Sequence, residues 1–432
     1  MLGTRESKHS HHRRVTSSHL LKHLLALVPA AYFLPPIAPA LISGQLSNNL
    51  PSTLNSQITS VIATVLALVM FRRITAYPGA RALSYIVPAF STTFGIGAIV
   101  LLLIRLPYSG SMLLVGYVAT ICISFIIGYV EQRGGPRKFY YVPVGKMHIV
   151  NDTPEVDWVP LTTPTVPDEH DVSIVADLRS DHSAEWERML AEAAISGIPV
   201  YHSKQLRESL TGRVQIEHMS ENSFGSLVPA FAYRGVKRVI DIVSSIVLLP
   251  VLLVPMLLLA ILVRVDSPGP ILFRQRRMGY RGKPFSMLKF RTMHVQLHSD
   301  DGCRPERHEA ITRADDDRIT RVGRFLRRSR IDELPQIVNI IRGEMSWIGP
   351  RPEAVQLSDW YEDEIPFYRY RHIVRPGITG WAQVNQGHVA EINDVNIKLH
   401  YDFYYIKFFS FWLDVLITIR TIGIMFTGFG AK

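Results

Sequence analysis

The segment Arg327-Arg328-Ser329-Arg330-Ile331-Asp332-Glu333-Leu334-Pro335-Gln336 sets two adjacent carboxylates beside a run of guanidinium groups. The residues that follow, IVNIIRGEMS, have a helical pattern, with Gly343 where a C-cap is expected. Proline is tolerated in a first helical turn. Asp332 and Glu333 are therefore expected at or near a helix start, where the positive dipole end keeps carboxylates ionised. Adjacent side chains on a helix point ~100° apart, so the two can serve different atoms, such as a phosphorus and a magnesium ion. An ionised aspartate can attack phosphorus and form an aspartyl-phosphate. An isolated Asp-Glu pair would do no more than complement the dipole, so the surroundings decide.

Those surroundings are cationic. Arg318, Arg321, Arg324, Arg327, Arg328 and Arg330 are too dense for one solvated helix face. Guanidinium forks suit phosphate oxygens two at a time. Gly349-Pro350-Arg351-Pro352-Glu353 places an arginine on a stiff turn, and Lys289-Phe290-Arg291-Thr292-Met293 adds two cations. Arg375-Pro376-Gly377-Ile378-Thr379-Gly380-Trp381-Ala382-Gln383 brings another arginine, with Trp381 available to stack on a base and Gln383 to contact base or sugar. Together these residues suit a diphosphate bridged by magnesium. The triplet Asp315-Asp316-Asp317 reads either as a solvated loop or as a second magnesium-binding cluster.

Several apolar runs must place this chemistry at a membrane. Val239 to Val263 reads VIDIVSSIVLLPVLLVPMLLLAILV, long enough for the ~20 residues of a span. Arg234, Lys237 and Arg238 precede it, and Arg264, Arg274, Arg276 and Arg277 follow it. Lys and Arg collect on the cytoplasmic side, so both ends favour the same face. Pro250 and Pro255 would break the rod. The combination predicts a re-entrant hairpin; the alternative is an ordinary span with a basic outer flank. Four earlier runs, Leu20–Ile42, Leu54–Phe71, Ala82–Ile104 and Met112–Val130, have basic residues in alternate connections, which predicts four transmembrane helices with both termini inside.

Between the runs, KFYYVPV, VSIVADL and IPVYH read as strands and SAEWERMLAEAAISG as an amphipathic helix, a small Rossmann-like α/β pattern without a glycine-rich phosphate loop. The aromatic C-terminal run LHYDFYYIKFFSFWLDVLITIRTIGIMF reads as helices lying at the bilayer interface. The chain of 432 residues thus divides into a basic tail (1–19), a four-helix transmembrane bundle (20–130), a soluble α/β domain (139–213), a linker (214–233), a re-entrant membrane helix (234–265) and a mainly helical cytoplasmic catalytic domain with interfacial helices (266–432). The net charge of +10 points to anionic lipid headgroups or nucleotide phosphates. No zinc spacing, basic zipper or RNA-binding motif supports nucleic acid. Two cysteines, Cys122 and Cys303, make neither a disulfide framework nor a metal site.

From Lys237 to about Phe411 the chain resembles the bacterial sugar transferases, polyprenyl-phosphate hexose-1-phosphate transferases of the monotopic phosphoglycosyl transferase superfamily. The matching motifs are Lys237-Arg238 with Asp241, Asp266-Ser267-Pro268-Gly269-Pro270, Phe273-Arg274-Gln275, Lys289 to Met293, Arg318-Ile319-Thr320, Asp332 to Gln336, Gly349 to Pro352 and Arg375 to Gln383. The resemblance implies that Asp332 is a nucleophile, that Glu333 holds Mg2+, and that the run around Pro255 is re-entrant. Asp317 joins the site as the start of the Asp-Arg-Ile-Thr pattern. It further implies transfer of a hexose-1-phosphate from a UDP-sugar, UDP-glucose or UDP-galactose, to undecaprenyl phosphate at the bacterial inner membrane, with membrane lipids as partners. A homodimer stays open. The rival readings are a polytopic transferase acting through Asp315–Asp317 and a non-enzymatic membrane scaffold or polysaccharide chain-length regulator.

Overall fold

The computed structural model describes residues 12–37, 50–75, 85–132, 138–154, 156–169, 172–216, 231–294, 318–386 and 392–427. They fall into two compact units, 1–212 and 213–432.

The first unit opens with helices His12–Phe33, Leu50–Thr75, Ile86–Ile104 and Gly110–Gln132. The last three include stretches long and apolar enough to cross a bilayer. Within the first, His23–Phe33 forms a shorter apolar stretch. Residues 38–42 of that expected span lie outside the described residues. The bundle buries small hydroxyl residues beside an apolar core of Leu27, Leu68, Ile86, Phe90 and Phe94. Helix Leu50–Thr75 exposes Leu54, Ile58, Ile62 and Leu66, while Ser52, Ser56, Ser60 and Thr64 are buried. Two of these hydroxyls bond back to their own helix, Ser56 Oγ donating to Ser52 O at 2.8 Å and Thr64 Oγ1 to Ser60 O at 2.7 Å. Small inward residues with apolar outward ones are what a lipid solvent selects.

The α/β part has one parallel sheet of order β2-β1-β3-β4: β1 Lys138–Tyr141, β2 Asp157–Pro160, β3 Ser173–Ala176 and β4 Val200–His202. Helix Ala184–Ile195 covers it, burying Met189, Leu190 and Ala193 against Val142, Ile174 and Ala176. The expected strands and helix are present, and β2 is additional. Its sequence, DWVP, is too short and too proline-ended to show alternation. At the carboxyl edge, Asp177 accepts from the N–H groups of Lys146 and Arg179 and from Ser180 Oγ. These bonds tie the loop after β1 to the loop after β3.

The second unit begins with one helix of 36 residues, Phe231–Asp266, which runs through both Pro250 and Pro255. The expected break is therefore not a break in secondary structure. Each proline removes one hydrogen bond, but the flanking Leu- and Val-rich turns keep theirs. Both feet of this helix are fastened to the unit. Near its start Arg238 donates to the carbonyls of Ile340 (2.6 Å) and Ile341 (3.0 Å). Near its end Val263 packs on Phe290 and Leu326. Between the feet Val247, Val251, Val254 and Leu258 are exposed, as a membrane-immersed segment requires. The start of this helix at Phe231 shortens the expected linker, of which 217–230 lies outside the described residues.

An antiparallel hairpin, β5 Leu272–Met278 with β6 Pro284–Phe290, and a short parallel pair, β7 Ser346–Ile348 with β8 Gly377–Thr379, frame the rest. The C-terminal helix Ile392–Lys407 corrects an expectation. It does not lie at an interface: Phe403, Tyr404, Tyr405 and Ile406 are buried, so its aromatics fill the core of this unit. Helix Phe411–Thr427 buries Leu413, Leu416 and Ile417 and exposes Phe411, Ile422 and Met425.

Candidate active site

Arg330, between helix Arg321–Ser329 and the carboxylate turn, has φ 55, a left-handed conformation rare outside glycine. It folds the chain back so that Ile331–Gln336 forms a 3-10 turn, which leads straight into helix Ile337–Arg342. Asp332 and Glu333 thus lie before the helix, as expected. Both are buried, at 8% and 6% exposure.

Glu333 is gripped from two sides. Arg351 reaches it with both terminal nitrogens, Nη2 to Oε1 at 2.7 Å and Nη1 to Oε2 at 3.4 Å. Lys289 Nζ is 3.5 Å from Oε1. Burial alone would raise this carboxyl, but Arg351 and Lys289 outweigh it and hold Glu333 at about 2. Asp332 has no ion pair among the described residues. Burial, reinforced by the neighbouring Glu333 charge, pushes it up to about 6 despite Lys289, Arg351 and Arg327. Burial and the Arg351 charge bring Lys289 down to about 8, against the pull of Glu333. One carboxylate is committed to cations; its neighbour is left free with raised basicity. Such a split assigns different roles to two acids.

The loop carrying Arg351 is pinned by glycines. A Cβ on Gly377 would lie 2.1 Å from the Gly349 nitrogen, and one on Gly349 would lie 2.3 Å from the Arg375 carbonyl oxygen. Behind the loop is a second charge network. Glu353 faces Lys398, Arg371 and Arg277, and burial is overcome by these cations, which hold its carboxyl well below the usual range. Across both networks, seven cations (Arg277, Lys289, Arg327, Arg330, Arg351, Arg371, Lys398) meet four carboxylates (Asp332, Glu333, Glu353, Asp402). The excess positive charge suits a polyanionic substrate.

Lys289, Arg327 and Arg351 therefore do gather at Asp332 and Glu333. Other sequence candidates do not. Arg291 is spent on the carbonyls of Val263, Ser267 and Pro268, fastening the end of the long helix to β6. Arg375 donates to the carbonyl of Gly343 at 3.0 Å and lies over the Tyr280 ring, capping helix Ile337–Arg342. Trp381 is 1% exposed, stacked on Tyr404 and covered by Arg420, so no ring face is open to a base. Gln383 donates to Ile378 O at 3.0 Å, turned into the loop. Asp317 lies outside the described residues. Arg277, Arg371 and Asp402 carried no signal beyond charge, and their roles depend on contacts remote in sequence.

Magnesium needs one or two carboxylates plus phosphate and water oxygens. Glu333, held ionised and with Oε2 only loosely engaged at 3.4 Å, has the right chemistry. No group of three or more His, Cys, Asp or Glu gathers among the described residues, so substrate oxygens and water would complete the shell.

The profile of the bacterial sugar transferases matches residues 232–428. A UDP-N-acetylgalactosamine-undecaprenyl-phosphate N-acetylgalactosaminephosphotransferase of Aeromonas hydrophila is 43% identical over 367 residues, covering 84% of this chain and 85% of that protein. A UDP-glucose:undecaprenyl-phosphate glucose-1-phosphate transferase of Caulobacter vibrioides is 43% identical over 206 residues, 47% of this chain and 74% of its own length. One of the same name from Xanthomonas campestris pv. campestris is 36% identical over 299 residues, 68% of this chain and 54% of its own. With a buried Asp-Glu pair in a cationic pocket, a membrane-type helix on the same unit, and relatives along most of its length, this chain belongs to the bacterial sugar transferases.

Proposed function

We propose that this protein transfers a sugar-1-phosphate from a UDP-sugar to undecaprenyl phosphate at the inner membrane, as the first step of making a surface polysaccharide. The observation that supports it best is the split pair: Asp332 unpaired at about 6 beside Glu333 at about 2. A carboxylate oxygen of Asp332 attacks the phosphorus bearing the sugar. The bridging bond to UMP breaks, and an aspartyl-phosphosugar forms. An oxygen of undecaprenyl phosphate then attacks the same phosphorus, releasing Asp332 and leaving a diphosphate-linked sugar. One phosphoanhydride replaces another, so no further energy source is needed. Arg351 and Lys289 meet charge that develops on the phosphoryl oxygens beside the buried carboxylates. Magnesium, when bound at Glu333, would neutralise diphosphate charge.

A relative covering 84% of this chain is named for N-acetylgalactosamine, so in this proposal UDP-N-acetylgalactosamine takes precedence over the UDP-glucose or UDP-galactose expected from the sequence. The membrane route is re-entrant in this proposal, with both feet of helix Phe231–Asp266 on the cytoplasmic face. Its fastening to one unit at Arg238 and at Val263 supports that route. The test is the purified protein with each UDP-sugar, magnesium and undecaprenyl phosphate in vesicles. UMP and a lipid-linked diphosphosugar are expected; absence of both with all three sugars would remove the proposal.

The pH profile follows from the same groups. Asp332 must be ionised, so kcat/KM should fall as pH drops through about 6. Lys289 must be charged, so it should fall again as pH rises through about 8. Initial rates across pH 5 to 9 check this; a flat acid limb would mean that the Asp332 carboxyl is not raised.

A further inference from the structure

We infer that Arg371 is a positioning residue for the transfer, acting through the main chain of the Arg351 loop and never touching substrate; this rests on the function proposed above. The loop Gly349-Pro350-Arg351-Pro352 has a peculiar difficulty. Two of its four residues are prolines without an N–H, so its carbonyls are the main handles by which it can be held. All of them from 350 to 353 are taken. Pro350 O accepts from Gly377 N at 3.0 Å and Glu353 O from Met278 N at 2.9 Å. The two between accept from guanidinium groups: Arg351 O from Arg371 Nη2 at 2.8 Å, and Pro352 O from Arg277 Nη1 at 2.8 Å.

Arg371 is itself locked. It is 3% exposed, donates to Tyr368 Oη at 2.6 Å and lies over that ring. Asp402 Oδ2 is 2.8 Å from Nη2, and Glu353 Oε1 4.0 Å from Nη1. Asp402 Oδ2 and Arg371 Nε lack hydrogen-bond partners of good geometry among the described residues, so the pair is held by charge and by its surroundings. Buried charges of this kind are costly unless they fix something. Here they fix the peptide carbonyl one residue's length from the guanidinium that grips Glu333. The line runs from Asp402 through Arg371 to the Arg351 backbone, and from the Arg351 side chain to Glu333.

Two measurements on the full-length protein in nanodiscs test this. Amide hydrogen exchange of peptides covering 345–354 should quicken in Arg371→Lys, which keeps the charge but cannot span the same partners. Unchanged exchange there overturns the proposal. A double-mutant cycle supplies the catalytic arm. Per folded protein, Arg371→Lys should lower kcat/KM on the order of 10- to 100-fold in the native background. In an Arg351→Gln background it should have little further effect. Equal losses in both backgrounds, or no loss in the native one, reduce Arg371 to a scaffold residue. If the native protein releases no UMP from any UDP-sugar, the functional proposal fails, while the exchange result still decides the positioning.

Discussion

Asp332→Asn should abolish transfer, with kcat falling on the order of 10⁴-fold or more, as removal of a covalent nucleophile does. The change is nearly isosteric, so the loss is chemical. Folding should not suffer. Burial and Glu333 raise this carboxyl to about 6, meaning that the ionised form is disfavoured in the folded protein. Relative to an ordinary aspartate at 3.8, that corresponds to about 3 kcal/mol of destabilisation at neutral pH, relieved as pH falls below about 6. Asparagine removes that charge, so the thermal midpoint should hold or rise. The matching chemical test omits the lipid acceptor. Native protein incubated with radiolabelled UDP-sugar and magnesium should acquire about one label per chain, and Asp332→Asn none. Label confined to lipid in the complete reaction, with none ever on protein, would replace the two-step route by a single displacement.

Glu333→Gln should behave in the opposite way, damaging the fold as well as the rate. Arg351 and Lys289 would stay buried after losing the carboxylate they share. Removing one partner of a buried pair costs about 3–5 kcal/mol. Part would be relieved by proton loss from Lys289, which depends on Glu333 to stay even at about 8. The variant should therefore melt earlier than Asp332→Asn, and its residual activity should decline at lower alkaline pH. Differential scanning of both variants beside the native protein checks the contrast. Equal midpoints would mean that the Arg351 grip contributes nothing to stability.

The motifs that supply the candidate site were readable because their chemistry is local. Asp332-Glu333 before a helix, an arginine between prolines and a Lys-Phe-Arg run are each complete within a few residues. What could not be read was which cations reach the pair. Arg291 and Arg375 have the same residue type as Arg351, yet the carbonyls they satisfy lie at sequence separations of 23 and 32 residues or so, beyond any local pattern. Trp381 misled for a related reason: an aromatic beside a flexible Gly-rich motif suggests a stacking platform, but Tyr404 and Arg420 had already claimed it. The C-terminal helices show the same ambiguity in apolar form. Aromatic richness describes an interface belt and a packed core equally well, and only the burial of Phe403 to Ile406 decides between them.

The left-handed backbone at Arg330 has an evolutionary consequence. A non-glycine residue there carries steric strain of about 1–2 kcal/mol. Glycine would relax it, so Arg330→Gly is the sort of change a screen for thermostable variants would select. The same change deletes a cation that faces both carboxylates. Selection for heat resistance and selection for turnover should pull this position in opposite directions, and an arginine there marks which of the two has prevailed.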